Sequence, residues 1–137
     1  MEFQQYQGLA GFRYALRQFV AASETISRAA GVTQQQYQAL LVIKTREGDT
    51  LSIGAFAEQL LLTHHAAVQL VDRLAKAGLA ERTRSAEDRR TVHLTLTERG
   101  ESLLDELATR HLEEMLRHEP LLTRSLKRLK GVATTPD

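Results

Sequence analysis

The chain has 137 residues, enough for one domain with a core of its own. Its 18 basic and 17 acidic residues nearly cancel, so no nucleic-acid or acidic partner follows from global charge and only a local patch can recognise one. It has no cysteine, which excludes disulfides, thiolate catalysis and cysteine-held zinc, and no apolar run approaches the length of a membrane span.

The first residues, MEFQQYQGLAG, lack a basic stretch followed by an apolar one, so they do not read as a secretory leader; a cytoplasmic protein is expected. Apolar residues then recur in steps of three and four at Phe3, Tyr6, Leu9, Phe12, Leu16, Phe19, Val20 and Ile26. This spacing predicts a long amphipathic helix, stopped at Gly31. Thr33 opens a second helix with Gln36 in capping-box spacing, and Tyr37, Leu40, Leu41 and Ile43 give its apolar face. REGDT ends it. Ser52 caps a short third helix whose inward face is Ile53, Phe56, Ala57 and Leu60. After Leu61 and Leu62, Thr63 caps a fourth helix, HHAAVQLVDRLAKAG, which stops at Gly78 and carries the stripe Ala67, Leu70, Val71, Leu74.

Val92, Leu94 and Leu96 alternate with Thr91, His93 and Thr95, the pattern of a half-buried strand. An earlier strand from Leu79 to Arg84 pairs with it through the turn SAEDR. Thr97 caps a fifth helix carrying Leu103, Leu104, Leu107, His111, Leu112, Met115 and Leu116. Pro120 is expected to interrupt it, leaving a short sixth helix over Leu121 to Leu129. GVATTPD reads as a loose tail. Two helices joined by a short turn and followed by a hairpin make a winged helix-turn-helix. The expected fold is mainly α, with a two-stranded β-hairpin wing and long flanking helices.

With these elements in place, the sequence resembles the MarR family of bacterial transcriptional regulators. The resemblance covers nearly the whole chain and is strongest from Leu51 to Gly100. It is carried by SIGAFAEQL, VQLVDRLAKAGLAER and DRRTVHLTLTERG, in that order and spacing. It implies a single domain over residues 1–137, with dimerisation helices in 1–30 and 100–130 and a DNA-binding lobe in 33–97. It also implies a homodimer that places two lobes on one duplex, and a repressor released by a small, often aromatic, effector held between the dimer base and the lobe.

A wheel centred on the fourth helix's apolar stripe puts His65, Gln69, Asp72 and Lys76 on the opposite face, with Ala66, Val68 and Arg73 at its edges. The first residues of a recognition helix meet base edges in the major groove, which selects His65, Ala66 and Gln69. Gln69 can hold adenine by two hydrogen bonds and Ala66 can touch a thymine methyl. Thr63 and the free N–H groups of the first turn suit a phosphate. Many relatives carry small hydroxyl residues and an arginine where this chain has His64, His65 and Gln69, so the operator sequence is not carried over. Asp72 faces the same side and is expected to pair with Arg73 or Arg82, or to lie beyond the groove.

From residue 82 to residue 90 there are four arginines against Glu87 and Asp88, a local basic stretch in a neutral protein. A hairpin tip can insert arginine into the minor groove, where narrow A·T tracts concentrate negative potential. By resemblance, Asp88 and Arg90 match the family's aspartate–x–arginine, which makes Arg90 the groove residue. Arg89 is then a second DNA contact or the partner that Asp88 holds, and Arg82 and Arg84 can hold phosphates. A solvated turn with weak salt bridges is the plainer alternative.

The first and fifth helices are too apolar for a small monomer to cover. Phe3, Tyr6, Leu9 and Phe12 at one end, with Leu121, Leu122, Leu126 and Leu129 at the other, look like a shared dimer core. Two-fold symmetry then sets the readers about 34 Å apart on a pseudo-palindromic double-stranded DNA site. If the family's pattern holds, an effector meets Phe12, Arg13, Leu16 and Tyr37, with Arg13 able to hold a carboxylate. His111, Glu114 and His118 share a helix face and can contribute to a zinc site, but a solvated or capping role is expected. No metal, no cofactor, no membrane partner and no enzymatic activity are expected, since no catalytic constellation is present. The rival reading is a winged-helix module for protein contacts, kept open by His64, His65 and Asp72.

Overall fold

The computed structural model describes residues 1–46, 51–84 and 92–131. The elements run α1 (Phe3–Ala29), α2 (Gln34–Thr45), α3 (Ile53–Gln59), α4 (His64–Lys76), β1 (Ala80–Arg84), β2 (Val92–Leu96) and α5 (Glu98–Leu129). The hairpin turn with Asp88, Arg89 and Arg90, most of REGDT and the tail after Gly131 lie outside the described residues.

The helix starts follow from local chemistry. The hydroxyls of Thr33, Ser52, Thr63 and Thr97 each accept the backbone N–H three residues on, from Gln36, Ala55, Ala66 and Gly100, at 3.0–3.1 Å. Gln36 also reaches back to the Thr33 N–H at 2.9 Å, closing the expected capping box. β1 and β2 pair antiparallel, with Ala80 opposite Leu96, Arg82 opposite Leu94 and Arg84 opposite Val92. The Leu94 N–H also bonds the Leu51 carbonyl at 3.2 Å, tying the segment before α3 to the hairpin.

The lobe's core joins α2, α3, α4, the hairpin and the first third of α5. Leu40, Phe56, Leu70, Leu74, Leu79 and Leu107 are among its fully buried members, each worth about 1.5–3 kcal/mol of apolar transfer. In α4 the buried residues are Ala67, Leu70, Val71 and Leu74, the stripe predicted from spacing. Leu41, assigned to the apolar face of α2, is instead 39% exposed; Ala39 takes a buried place beside Leu40 and Ile43.

α1 and α5 run antiparallel and touch through small residues. A Cβ on Gly8 would lie 2.8 Å from the Ser125 carbonyl oxygen, and one on Gly11 would lie 2.5 Å from the Ser125 hydroxyl. Gly8, Ala15, Ser23 and Ser27 form the buried side of α1, while Phe3, Tyr6, Leu9, Leu16 and Val20 of the apolar stripe stay exposed. α5 corrects one expectation: Pro120 does not interrupt it, and the separate sixth helix is the last part of one 32-residue helix. Proline removes a single N–H from the ladder. The turns beyond it are held from outside, by Ser125 and Leu129 packed against Gly8 and Gly11.

A close backbone approach joins the start of α5 to the start of the hairpin. A Cβ on Gly100 would fall 2.0 Å from the Leu79 carbonyl oxygen. That carbonyl accepts the Thr97 N–H at 3.1 Å, and the Thr97 hydroxyl donates to the Gly78 carbonyl at 2.6 Å. Gly78 itself turns the chain out of α4 with φ +73°. Replacing Gly100 by Ala should therefore cost about 3 kcal/mol in urea unfolding, the upper end for overpacking. A loss below about 0.5 kcal/mol, the size of an ordinary surface change, would show that the junction opens without strain.

Candidate nucleic-acid interface

The outward face of α4 is set by what the opposite face buries. With Ala67, Leu70, Val71 and Leu74 in the core, His64, His65, Gln69, Arg73 and Lys76 are exposed and Ala66 is half-buried at the edge. The Thr63 hydroxyl is engaged by the Ala66 N–H, and the Thr63 carbonyl accepts the Ala67 N–H. The N–H groups of His64 and His65 thus remain open to an anion at the positive end of the helix. The turn before α4 is made by Leu61, which has φ +55° and is 92% exposed.

Register places Arg82 and Arg84 on the sheet face that carries Leu94 and Val92, the face turned toward the core side. Arg82 reaches back to α4 and pairs with Asp72 at 2.5 Å. Of the two partners expected for Asp72, it is Arg82 that the structure supplies. The pair neutralises the acid on the outward face of α4 and links the helix to β1. Arg84, also exposed, ends β1; Asp88, Arg89 and Arg90 lie outside the described residues.

A second assembly lies between α1, α2 and α5, where single-helix periodicity carries little sign of it. His111 is buried, with Nδ1 2.7 Å from the Leu107 carbonyl and Nε2 2.7 Å from the Ser23 hydroxyl. A carbonyl only accepts, so Nδ1 carries a proton toward Leu107. The Tyr37 ring stacks on the imidazole at 3.8 Å and 10°, and Phe19 meets it edge-on at 6.3 Å. Burial pushes the Tyr37 hydroxyl pKa up. These groups floor an open cleft of about 460 Å³, walled by Leu41, Leu112 and Met115. Of the residues proposed for an effector, Tyr37 lines the cleft; Phe12, Arg13 and Leu16 lie further up α1, outside its lining. His111 is not poised for zinc, since both ring nitrogens are engaged, while Glu114 faces Arg117 at 2.8 Å and His118 at 3.5 Å. A histidine inside an apolar stripe, facing serines on α1, was the only signal.

Two helices crossing at a short turn, a two-stranded hairpin after them and long helices on either side define a winged helix-turn-helix protein. A MarR-family model matches residues 30–91. The regulator FarR of Neisseria gonorrhoeae is 31% identical over 103 residues, covering 71% of this chain and 69% of FarR. The organic hydroperoxide resistance transcriptional regulator of Bacillus subtilis is 40% identical over 77 residues, covering 56% and 50%. Among solved structures, the transcriptional repressor CouR bound to a 23-mer DNA duplex matches with TM-score 0.64 at 26% identity, covering 75% of this chain and 74% of that one. The chain belongs to the MarR family. It spans about half the length of most of the curated relatives it matches.

On duplex DNA, Asp72→Asn should release Arg82 and remove a repelling charge. Its stability cost is below about 1 kcal/mol, as for exposed ion pairs. Fluorescence anisotropy across a salt series should show tighter binding and a slope steeper by about one. An unchanged slope would place the pair away from the duplex.

Proposed function

We propose that this chain is a homodimeric, sequence-specific DNA-binding transcriptional regulator, a repressor released by a small molecule. The observation that carries the reading is α4: a fully buried apolar stripe fixes an outward face of His65 and Gln69 beside an arginine-bearing wing strand. Family membership supports it, and the matched relatives include proteins named as transcriptional repressors and one solved on DNA. Gln69 and His65 read bases, Ala66 touches at the groove edge, and Thr63, His64, Arg73, Arg82 and Arg84 hold the backbone. Arg90 enters the minor groove, with Arg89 and Asp88 beside it.

The dimer is supported by exposed apolar surface on the two long helices: Phe3 and Tyr6 of α1, and Leu112, Met115, Leu116 and Leu126 of α5. The domain then divides as the sequence implied, with residues 1–30 and 100–130 as dimer base and 33–97 as lobe. The α1–α2–α5 cleft, between base and lobe, holds the effector. Among the described residues no helix is long and apolar enough to cross a membrane. The proposed regulator acts on cytoplasmic DNA and is not an enzyme. The rival, a module for protein contacts, leaned on the charge of Asp72, and Arg82 compensates that charge.

Selection from random duplex DNA by the purified protein tests the whole reading. An enriched pseudo-palindrome with half-sites about ten base pairs apart is expected; no enrichment from folded protein favours the rival. On the selected site, Gln69→Ala should cost about 1–3 kcal/mol and relax one base position. Arg90→Ala should weaken all sequences alike and lower the salt slope by about one.

A further inference from the structure

We infer that Leu61, in the turn between α3 and α4, reads the 5-methyl group of a thymine in the major groove and so fixes one base of the DNA site. This rests on the DNA-binding reading above and adds a specificity-determining residue to it. The turn lies directly before Thr63, the cap of the helix whose first residues face the bases under that reading. Leu61 has φ +55° and is 92% exposed. Among the described residues no other side-chain-bearing residue sits in the left-handed region.

The fold itself has no use for this side chain. The end of α3 is closed by backbone alone: the Leu61 N–H donates to the Glu58 carbonyl at 3.2 Å, and the Leu62 N–H to the Ala57 carbonyl at 2.9 Å. In this closure the left-handed position is usually held by glycine. Leu60 and Leu62, on either side, pack against the core, while Leu61 points to solvent. A side chain at this φ strains the backbone. A leucine left in water gains nothing from burial to offset that strain. Strain held without an internal contact to support it points to a task outside the chain.

The chemistry of leucine selects the partner. It has no charge and no donor for a phosphate oxygen, so it adds nothing to the backbone contacts of a DNA complex. The exposed neighbours Thr63, His64 and His65 supply donors for those. On the base edges of the major groove the apolar feature is the thymine 5-methyl. A branched side chain standing outside the helix cap can cover that methyl, where Ala66, half-buried on α4, offers one carbon. The flanking exposed residues Glu58, Gln59, Thr63 and His64 are all polar, so no apolar patch continues from Leu61 to seat a protein.

The test uses the full chain and the duplex that it enriches from random DNA, synthesised with each thymidine in turn replaced by deoxyuridine, which lacks only the methyl. Fluorescence anisotropy should show one thymine per half-site at which the unaltered protein loses about fourfold in affinity, the contribution of one buried methyl. Leu61→Gly and Leu61→Ala should bind thymine and uracil alike at that position. Leu61→Gly should also melt about 4 °C higher, because it relieves the strain, so its lost discrimination is not a folding defect. Uracil losses that are the same in all three proteins overturn the inference and leave the DNA-binding reading standing. So does a weakening of both variants that is uniform over every sequence, which would put Leu61 on the sugar–phosphate backbone. A folded chain that enriches no duplex defeats the DNA-binding reading, and this inference with it.

Discussion

The Leu79 carbonyl oxygen lies where a side chain on Gly100 would have to begin, 2.0 Å from that missing Cβ. Among the described glycines none leaves less room for a Cβ, and three elements meet at this point. α4 has just ended at Gly78, β1 is about to start, and α5 is making its first turn. Thr97 fastens the same point three times, through its N–H to Leu79, its hydroxyl hydrogen to Gly78 and its hydroxyl oxygen to the Gly100 N–H. The direction of the long helix is thereby set against the reading helix by backbone contact, which side-chain motion cannot loosen. The end of DRRTVHLTLTERG, one of the three segments that carry the family resemblance, forms this junction.

At the far end of α5 a second close approach governs the other half of the molecule. Gly8 and Gly11 let α1 lie directly on Ser125 and Leu129. Spending the small face of α1 on this contact leaves its large apolar residues outward, at 76% exposure for Phe3 and 58% for Tyr6. A monomer would carry that apolar surface into water, which is unfavourable. The same contact carries the helix through Pro120, because packing at positions 121–129 outweighs one missing hydrogen bond.

The lobe was legible because its signals are local. Hydroxyl caps at Thr33, Ser52, Thr63 and Thr97, glycine at Gly31 and Gly78, and the period of α4 each act over a few residues, and each appears in the fold as read. Of the interface, the outward face of α4 could be drawn on a wheel, and the partner of Asp72 was narrowed to two candidates. Pro120 was misread because the packing that overrides it comes from residues more than a hundred positions away. Leu41 was misplaced because one helix turn offers two nearly equivalent apolar edges. The Ser23–His111–Tyr37 assembly was hidden for the same reason as the proline: it joins three helices whose relative rotation no single-helix period specifies. Arg13 was assigned to the effector by family pattern, and only packing shows which turn of α1 borders the cleft.

The Asp72–Arg82 pair also has a mechanical meaning. It braces the reading helix against β1 at one end of the strand, while Leu79 pins the strand against α5 at the other. A frame braced at both ends moves as a block. Under the proposed function, a molecule lodged beside Tyr37 does not tilt α4 by itself; it changes how far apart two such blocks stand in the dimer. The protein then acts as a calliper set to about one turn of DNA. Release from the operator is a change of gauge, with each reading head left intact.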